Sequence, residues 1–194
     1  MVDCAPMPSS TLLTATLLPH PQSRSGAARC IRARLGRRQD GLLTISYVIE
    51  GDMSRMTVPA LASPSFAEGL WKHTCCECFI AIAARPEYCE LNFSPSGEWA
   101  AYAFSSYREG RPLRDEILDP RIAVRRFADR LELEGSIALA RLAPDYRNSV
   151  LALGLSAVIE DADGALSYWA LAHPAAKPDF HHREAFSLKL EPEA

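Results

Sequence analysis

Strict alternation of side-chain character in the middle of the chain constrains its fold more than any other feature. From Thr74 to Ala83, Cys76, Cys78, Ile80 and Ile82 fall on one side of an extended backbone, and Cys75, Glu77, Phe79 and Ala81 on the other. Tyr88 to Phe93 repeats the pattern, with Cys89, Leu91 and Phe93 opposed to Tyr88, Glu90 and Asn92, and Trp99 to Tyr107 makes a third run. The breaks at Arg85-Pro86-Glu87 and Pro95-Ser96-Gly97 carry turn chemistry. These residues predict a three-stranded antiparallel meander. Both of its faces are apolar, but one also receives Glu77, Glu90, Asn92 and Tyr102, and acids and amides on such a face point to a binding surface.

The flanking sequence extends the pattern. Ser10 to Leu18 reads as a strand stopped by Pro19 and Pro21. Arg29 to Leu35 and Leu42 to Glu50 read as two more, joined across Asp40-Gly41. After a turn at Gly51-Asp52 and the short piece Arg55 to Val58, Pro59 to Gly69 predicts a long loop that delivers Trp71 to the meander. Arg108 to Pro120, with Gly110, Pro112 and Pro120, predicts a second long loop. Strand character returns at Ile122 to Phe127, Leu131 to Leu139, Val150 to Glu160 and Ser167 to Leu171, while Arg141 to Ser149 holds one helical turn at most. His173 to Arg183 is a loop stiffened by Pro174 and Pro178, and Ala185 to Leu190 closes the sheet. About ten short strands without an amphipathic helix predict an all-β fold, an antiparallel sandwich or jelly roll. With 194 residues, 48% of them hydrophobic, a single domain over 1–194 is expected.

Composition narrows the partners. A formal net charge of −3 argues against a nucleic-acid or anionic-membrane binder. Arg24, Arg29, Arg32, Arg34, Arg37 and Arg38 stand close together, but Arg32 and Arg34 alternate with Ile31, Ala33 and Leu35, as the wet face of a strand does. Leu12 to Leu18 lacks the preceding basic residue and following cleavage site of a signal peptide, and no apolar run reaches the roughly twenty residues of a spanning helix. The six cysteines include Cys75 and Cys76, which as strand neighbours point apart and are poorly placed to pair. Thiols used as small core residues in a reduced, cytoplasmic protein are the expectation.

The runs Leu70-Trp-Lys-His-Thr-Cys, Glu90-Leu-Asn-Phe-Ser-Pro-Ser-Gly-Glu-Trp-Ala-Ala-Tyr, and Tyr168-Trp-Ala-Leu-Ala-His-Pro with Lys177-Pro-Asp-Phe-His-His together resemble the bacterial DOMON-like domain proteins. That group is similar in fold to the family-nine carbohydrate-binding modules. Leu18-Pro-His-Pro and Gly41-Leu-Leu also fit, so the resemblance spans nearly the whole chain. It implies a β-sandwich whose relatives bind sugars or haem without catalysing a reaction.

A sugar offers flat C–H faces and a rim of hydroxyls, so its site needs an aromatic platform and planar polar groups. Trp71 and Glu77 look like the positions that the sugar-binding relatives use for platform and hydroxyl acceptor, with Asn92 and Tyr102 adding hydrogen bonds. Trp169, His173, Lys177 and Asp179, at and within the stiff loop, are candidates for a second wall. Against this stands Trp71 as a plug of the sandwich end and Glu77 as the partner of an arginine such as Arg108. Trp99, beside Ala100-Ala101, is expected in the core.

A metal is not expected. His173, Asp179, His181 and His182 have suitable atoms but not helical spacing, and Cys75, Cys76 and Cys78 do not form a zinc knuckle. A haem would take Met53, Met56 or His173 as axial ligand, but haem-binding relatives are typically exported. No cofactor is expected. The enzyme alternative is a glycoside hydrolase using two of Glu77, Glu90 and Asp179, carboxylates that would have to stand roughly 5 to 10 Å apart across a cleft. The sequence leaves the oligomeric state and the identity of the ligand open.

Overall fold

The computed structural model of the chain describes residues 11–24, 26–114 and 118–192. Cys4 and Ser10, the first residue of the expected opening strand, lie outside these. The described residues form an all-β sandwich of two antiparallel layers. One layer runs, in spatial order, β1 (Thr11–Pro19), β2 (Ala28–Arg37), β3 (Leu42–Gly51), β9 (Arg130–Ala138) and β8 (Arg121–Arg126). The other runs β7 (Glu109–Pro112), β6 (Trp99–Ser106), β5 (Tyr88–Phe93), β4 (Cys75–Ile82), β10 (Leu151–Glu160) and β11 (Leu166–Ala170), with β12 (Leu188–Leu190) sharing the edge of β10. β1 turns the corner between them: Thr11 to Leu17 pair with β2, whereas Leu18 and Pro19 pair with Ala170 and Trp169 of β11.

The alternation decides what lies between the layers. Ile31, Leu35, Ile45, Ile49 and Leu133 of the first layer meet Cys78, Ile80, Leu91, Leu153 and Leu155 of the second, all essentially without solvent exposure. Polar atoms in this core are hydrogen-bonded: the Tyr47 hydroxyl donates to the Glu77 carbonyl at 2.6 Å and the Tyr146 hydroxyl to the Ile80 carbonyl at 2.9 Å. These two tyrosines pin β4 from inside. The five described cysteines are free, and Cys75, Cys76, Cys78 and Cys89 are buried, as small apolar residues would be. Arg32 pairs with Glu50 on the wet face of β2, but Arg37 turns inward and donates to the carbonyls of Arg147 and Ser149 at 3.3 and 3.1 Å.

Three expectations change. The segment expected as a loop after Arg108 contains β7, which pairs with β6. Gly110 permits this, because a Cβ there would stand 2.4 Å from the Phe104 ring, and Pro112 is tolerated on an edge strand. Between Ala138 and Asn148 there are two single turns, α1 (Leu139–Leu142) and the 3-10 turn Pro144–Arg147, separated where Pro144 breaks the backbone ladder. Arg55 to Val58 contributes an isolated bridge, Met56 to Asp161.

The outer face of the second layer is covered as well. The chain from 172 to 187 lies across it as a strap, and Phe79, Ala81 and Tyr88 pack with Ala185 and Phe186 into a second, smaller apolar cluster. Phe186 stacks on Phe79 at 5.5 Å between centroids. It reaches the sheet because Gly154 has no Cβ, which would otherwise stand 2.7 Å from its ring. Every residue of β5 is therefore buried, on both faces.

Candidate functional site

Register assembles the site on this outer face. Across β5, β4 and β10 one row reads Asn92, Glu77, Ser156, and the next reads Glu90, Phe79, Gly154, with Tyr102 opposite Glu90 on β6. Glu77 and Glu90 are thus a diagonal pair on adjacent strands, about 7 Å apart by sheet geometry. Val158 and Tyr168 pair across β10 and β11 one step further along. The strap covers part of this surface and leaves a hollow of about 350 Å³. Glu77, Glu90, Tyr102 and Val158 line it from the sheet, and Pro178, Phe180 and His181 from the strap.

Trp71 stands at the rim. Gly69, in the left-handed region at φ 75°, turns the chain into a 3-10 turn over Leu70–Lys72, and the Thr74 hydroxyl, donating to the Thr57 carbonyl at 2.6 Å, fixes its far side. The indole is 49% exposed while lining the hollow, with Lys72 Nζ 5.5 Å from its ring centroid. An indole held open beside a cavity is available to a ligand in a way that a core tryptophan is not.

The carboxyls on the floor are buried. Glu77 is 3% exposed and accepts from the Ser156 hydroxyl at 3.2 Å; burial, reinforced by the charge of Glu90, pushes its pKa well above the ordinary carboxylate range. Glu90 is 5% exposed, and burial raises it to about 7 against the opposing effects of the Asn92 amide, which donates to it at 2.8 Å, and the Arg108 charge. His181 is lowered to about 4 by burial and by Arg108, so it is neutral near pH 7. The Tyr88 hydroxyl lies 2.9 Å from His181 Nδ1 and accepts from the Arg108 backbone N–H at 3.1 Å. A tyrosine hydroxyl that donates to Nδ1 leaves the ring proton on Nε2, which is 3.7 Å from Glu90. Arg108 itself pairs with Asp179 at 2.9 Å.

The residues expected from sequence divide. Trp71, Glu77 and Tyr102 meet at the hollow. Asn92, fully buried, is on the same face and holds Glu90. Asp179 lies behind the wall: it accepts from Tyr107 at 2.6 Å, from Arg108, and from its own strap at the His181 N–H, and these bonds hold it below the usual carboxylate range against the effect of burial. Trp169 is elsewhere. It points into the sandwich core, 6% exposed, with its indole N–H on the Ser167 hydroxyl at 3.1 Å, because its strand neighbour Tyr168 takes the outer face. His173 is outside the hollow too, bonded to the Leu18 carbonyl at 2.8 Å and edge-on to His20, and Lys177 is exposed and does not line it. The expected partnership of Glu77 with Arg108 is replaced by Glu77 with Ser156. Among the described residues no three His, Cys, Asp or Glu side chains converge as metal ligands.

Phe104, Arg108, Tyr168, Phe180 and His181 complete the walls, a role sequence reasoning did not assign them. The period-two signal already placed Phe104 on the face of Tyr102. The strap residues had no local signal.

No protein-family model matches the chain, and no curated protein is significantly similar to it in sequence. Its structure is similar to that of a candidate carbohydrate-binding protein from Bacteroides uniformis, with a TM-score of 0.69 at 12% identity over 91% of this chain and 84% of the other. It is also similar to a family-nine carbohydrate-binding module from Caldicellulosiruptor kristjanssonii in complex with glucose, with a TM-score of 0.50 at 12% identity and the same coverage. The likeness is one of fold: the chain is an all-β sandwich folded like these two proteins.

Proposed function

We propose that this protein is a non-catalytic binding module and that its hollow takes a saccharide of one or two rings. The observation that carries the reading is a half-exposed indole, Trp71, at the rim of a cavity floored by the buried polar groups Glu77 and Glu90. The indole suits the C–H face of a pyranose, and the carboxyls suit its hydroxyl edge. A volume of about 350 Å³ stands at the small end of ligand sites, which suits a sugar ring. The glucose bound by the family-nine neighbour and the DOMON-like resemblance support the same class of ligand.

Two competing classes fit less well. A glycosidase needs its carboxyls on opposite sides of the scissile bond. Here Glu77 and Glu90 share one face of one sheet, and Asn92 ties down an oxygen of Glu90. Haem would need an axial ligand over its iron, but Met56 is in the core, Met53 packs against that core, and His173 is bonded to Leu18.

Saturation-transfer NMR against a panel of mono- and disaccharides tests the proposal. The expected result is transfer to ring C–H protons of at least one sugar. No transfer from any member of the panel rejects the saccharide reading.

A further inference from the structure

Building on the saccharide reading, we infer that the ligand carries a free ammonium group, so that the hollow takes an amino sugar in preference to a neutral hexose. The floor gathers two carboxyls and an amide oxygen on one face of the sheet. Glu77 and Glu90 are both more than nine-tenths buried, and the hydrogen bonds they receive come from the neutral Ser156 hydroxyl and Asn92 amide. On the same face Asn92 Oδ1 is buried with no hydrogen-bond partner. A buried acceptor left without a donor is costly, and two buried carboxyls side by side avoid like charge by keeping their protons, so an ammonium that binds here takes the place of a proton and supplies the charge against which Glu90 ionises.

The nearby basic groups do not fill this need. Arg108 lines the hollow and its charge reaches Glu90, but its guanidinium is engaged with Asp179 at 2.9 Å and with the Tyr107 hydroxyl at 3.3 Å. His181 Nε2 stands 3.7 Å from Glu90, beyond hydrogen-bond distance, on an uncharged ring. Lys72 lies over the outward indole of Trp71. A sugar hydroxyl brings one donor, whereas an ammonium brings three donors and the opposite charge.

The walls favour the same group. Trp71, Tyr102, Phe104, Tyr168 and Phe180 surround the two carboxyls, and the faces of aromatic rings attract cations, most strongly where water is excluded. An aromatic enclosure over a carboxylate floor is the arrangement that recognises a small ammonium ion. A neutral hexose brings no charge against which they could ionise.

Calorimetric titration at about pH 6.5 tests the inference with four probes: glucosamine, glucose, N-acetylglucosamine and cyclohexylammonium. The expected result is glucosamine binding at least about tenfold tighter than glucose or N-acetylglucosamine, a preference that falls at least about fivefold in Glu90→Gln. The substitution is nearly isosteric, and a melting curve of the variant establishes that it folds. Glucose binding as tightly as glucosamine would overturn the ammonium assignment and leave the saccharide reading in place. Cyclohexylammonium binding while none of the sugars does would overturn the saccharide reading and, with it, the amino sugar. Binding by none of the four overturns both.

Discussion

The Tyr88 hydroxyl lies 2.9 Å from His181 Nδ1, a contact that fastens the strap to β5 across 93 residues of sequence. Around it, Phe104 stacks on Tyr88 with centroids 4.6 Å apart, and His181 meets the rings of Phe104 and Phe79 edge-on at 5.0 and 5.1 Å. The salt bridge from Arg108 to Asp179 joins strap and sheet a second time. Because His181 and Phe180 form one wall of the hollow, the shape of the site depends on these two ties.

Tyr88→Phe removes the hydroxyl and leaves the stacked ring. The loss to be expected is about 1 kcal/mol of stability, with faster amide hydrogen exchange confined to the strap. Exchange that stays unchanged between 178 and 186 would show that the strap is held by packing alone.

The three tryptophans should respond differently to truncation. Trp169→Ala opens a cavity in the core and is expected to cost about 3 to 5 kcal/mol, a large fraction of the stability of a domain of this size. Trp71→Ala removes a half-exposed ring and should cost less than about 1 kcal/mol. Urea denaturation of both variants measures the contrast, and equal losses would place Trp71 in a structural role.

Stability should fall as pH rises from about neutral. Glu90 keeps its proton in the folded state up to about 7, against 4.5 in an unconstrained chain, so across that interval the folded protein binds more protons and loses stability with rising pH. The upward-shifted Glu77 carries the loss further. His181, lowered from 6.5 to about 4, acts in the opposite sense between those values and offsets the trend there. Above about pH 6.5 the carboxyls act alone, and the part of the Glu90 titration that remains there is worth about 1 kcal/mol. Melting temperatures from pH 6 to pH 9 should decline in the wild type and less steeply in Glu90→Gln. Parallel profiles for the two would contradict a protonated Glu90.

Much of the architecture was legible in local pattern, because the period of two in Thr74–Ala83 and Tyr88–Phe93 assigns faces to residues before any contact is known. It placed Glu77, Glu90, Asn92 and Tyr102 together correctly. Trp169 was harder. In the five-residue strand Leu166–Ala170 both Tyr168 and Trp169 are bulky aromatics, and only the pairing of Val158 with Tyr168, outside the core, shows which of them turns inward. The strap was illegible for another reason: Phe180, His181 and Phe186 find their places through contacts with Phe79, Tyr88 and Gly154, nearly a hundred residues away or on another strand, and no local periodicity encodes such a docking.

Tryptophan fluorescence addresses the central claim most directly, since Trp99 and Trp169 are 8% and 6% exposed and Trp71 alone of the three is open to a ligand. Titration with mono- and disaccharides, amino sugars among them, should give a saturable change in emission that disappears in Trp71→Phe. A signal that is flat for every sugar, or that persists in the variant, would contradict a saccharide site at this hollow.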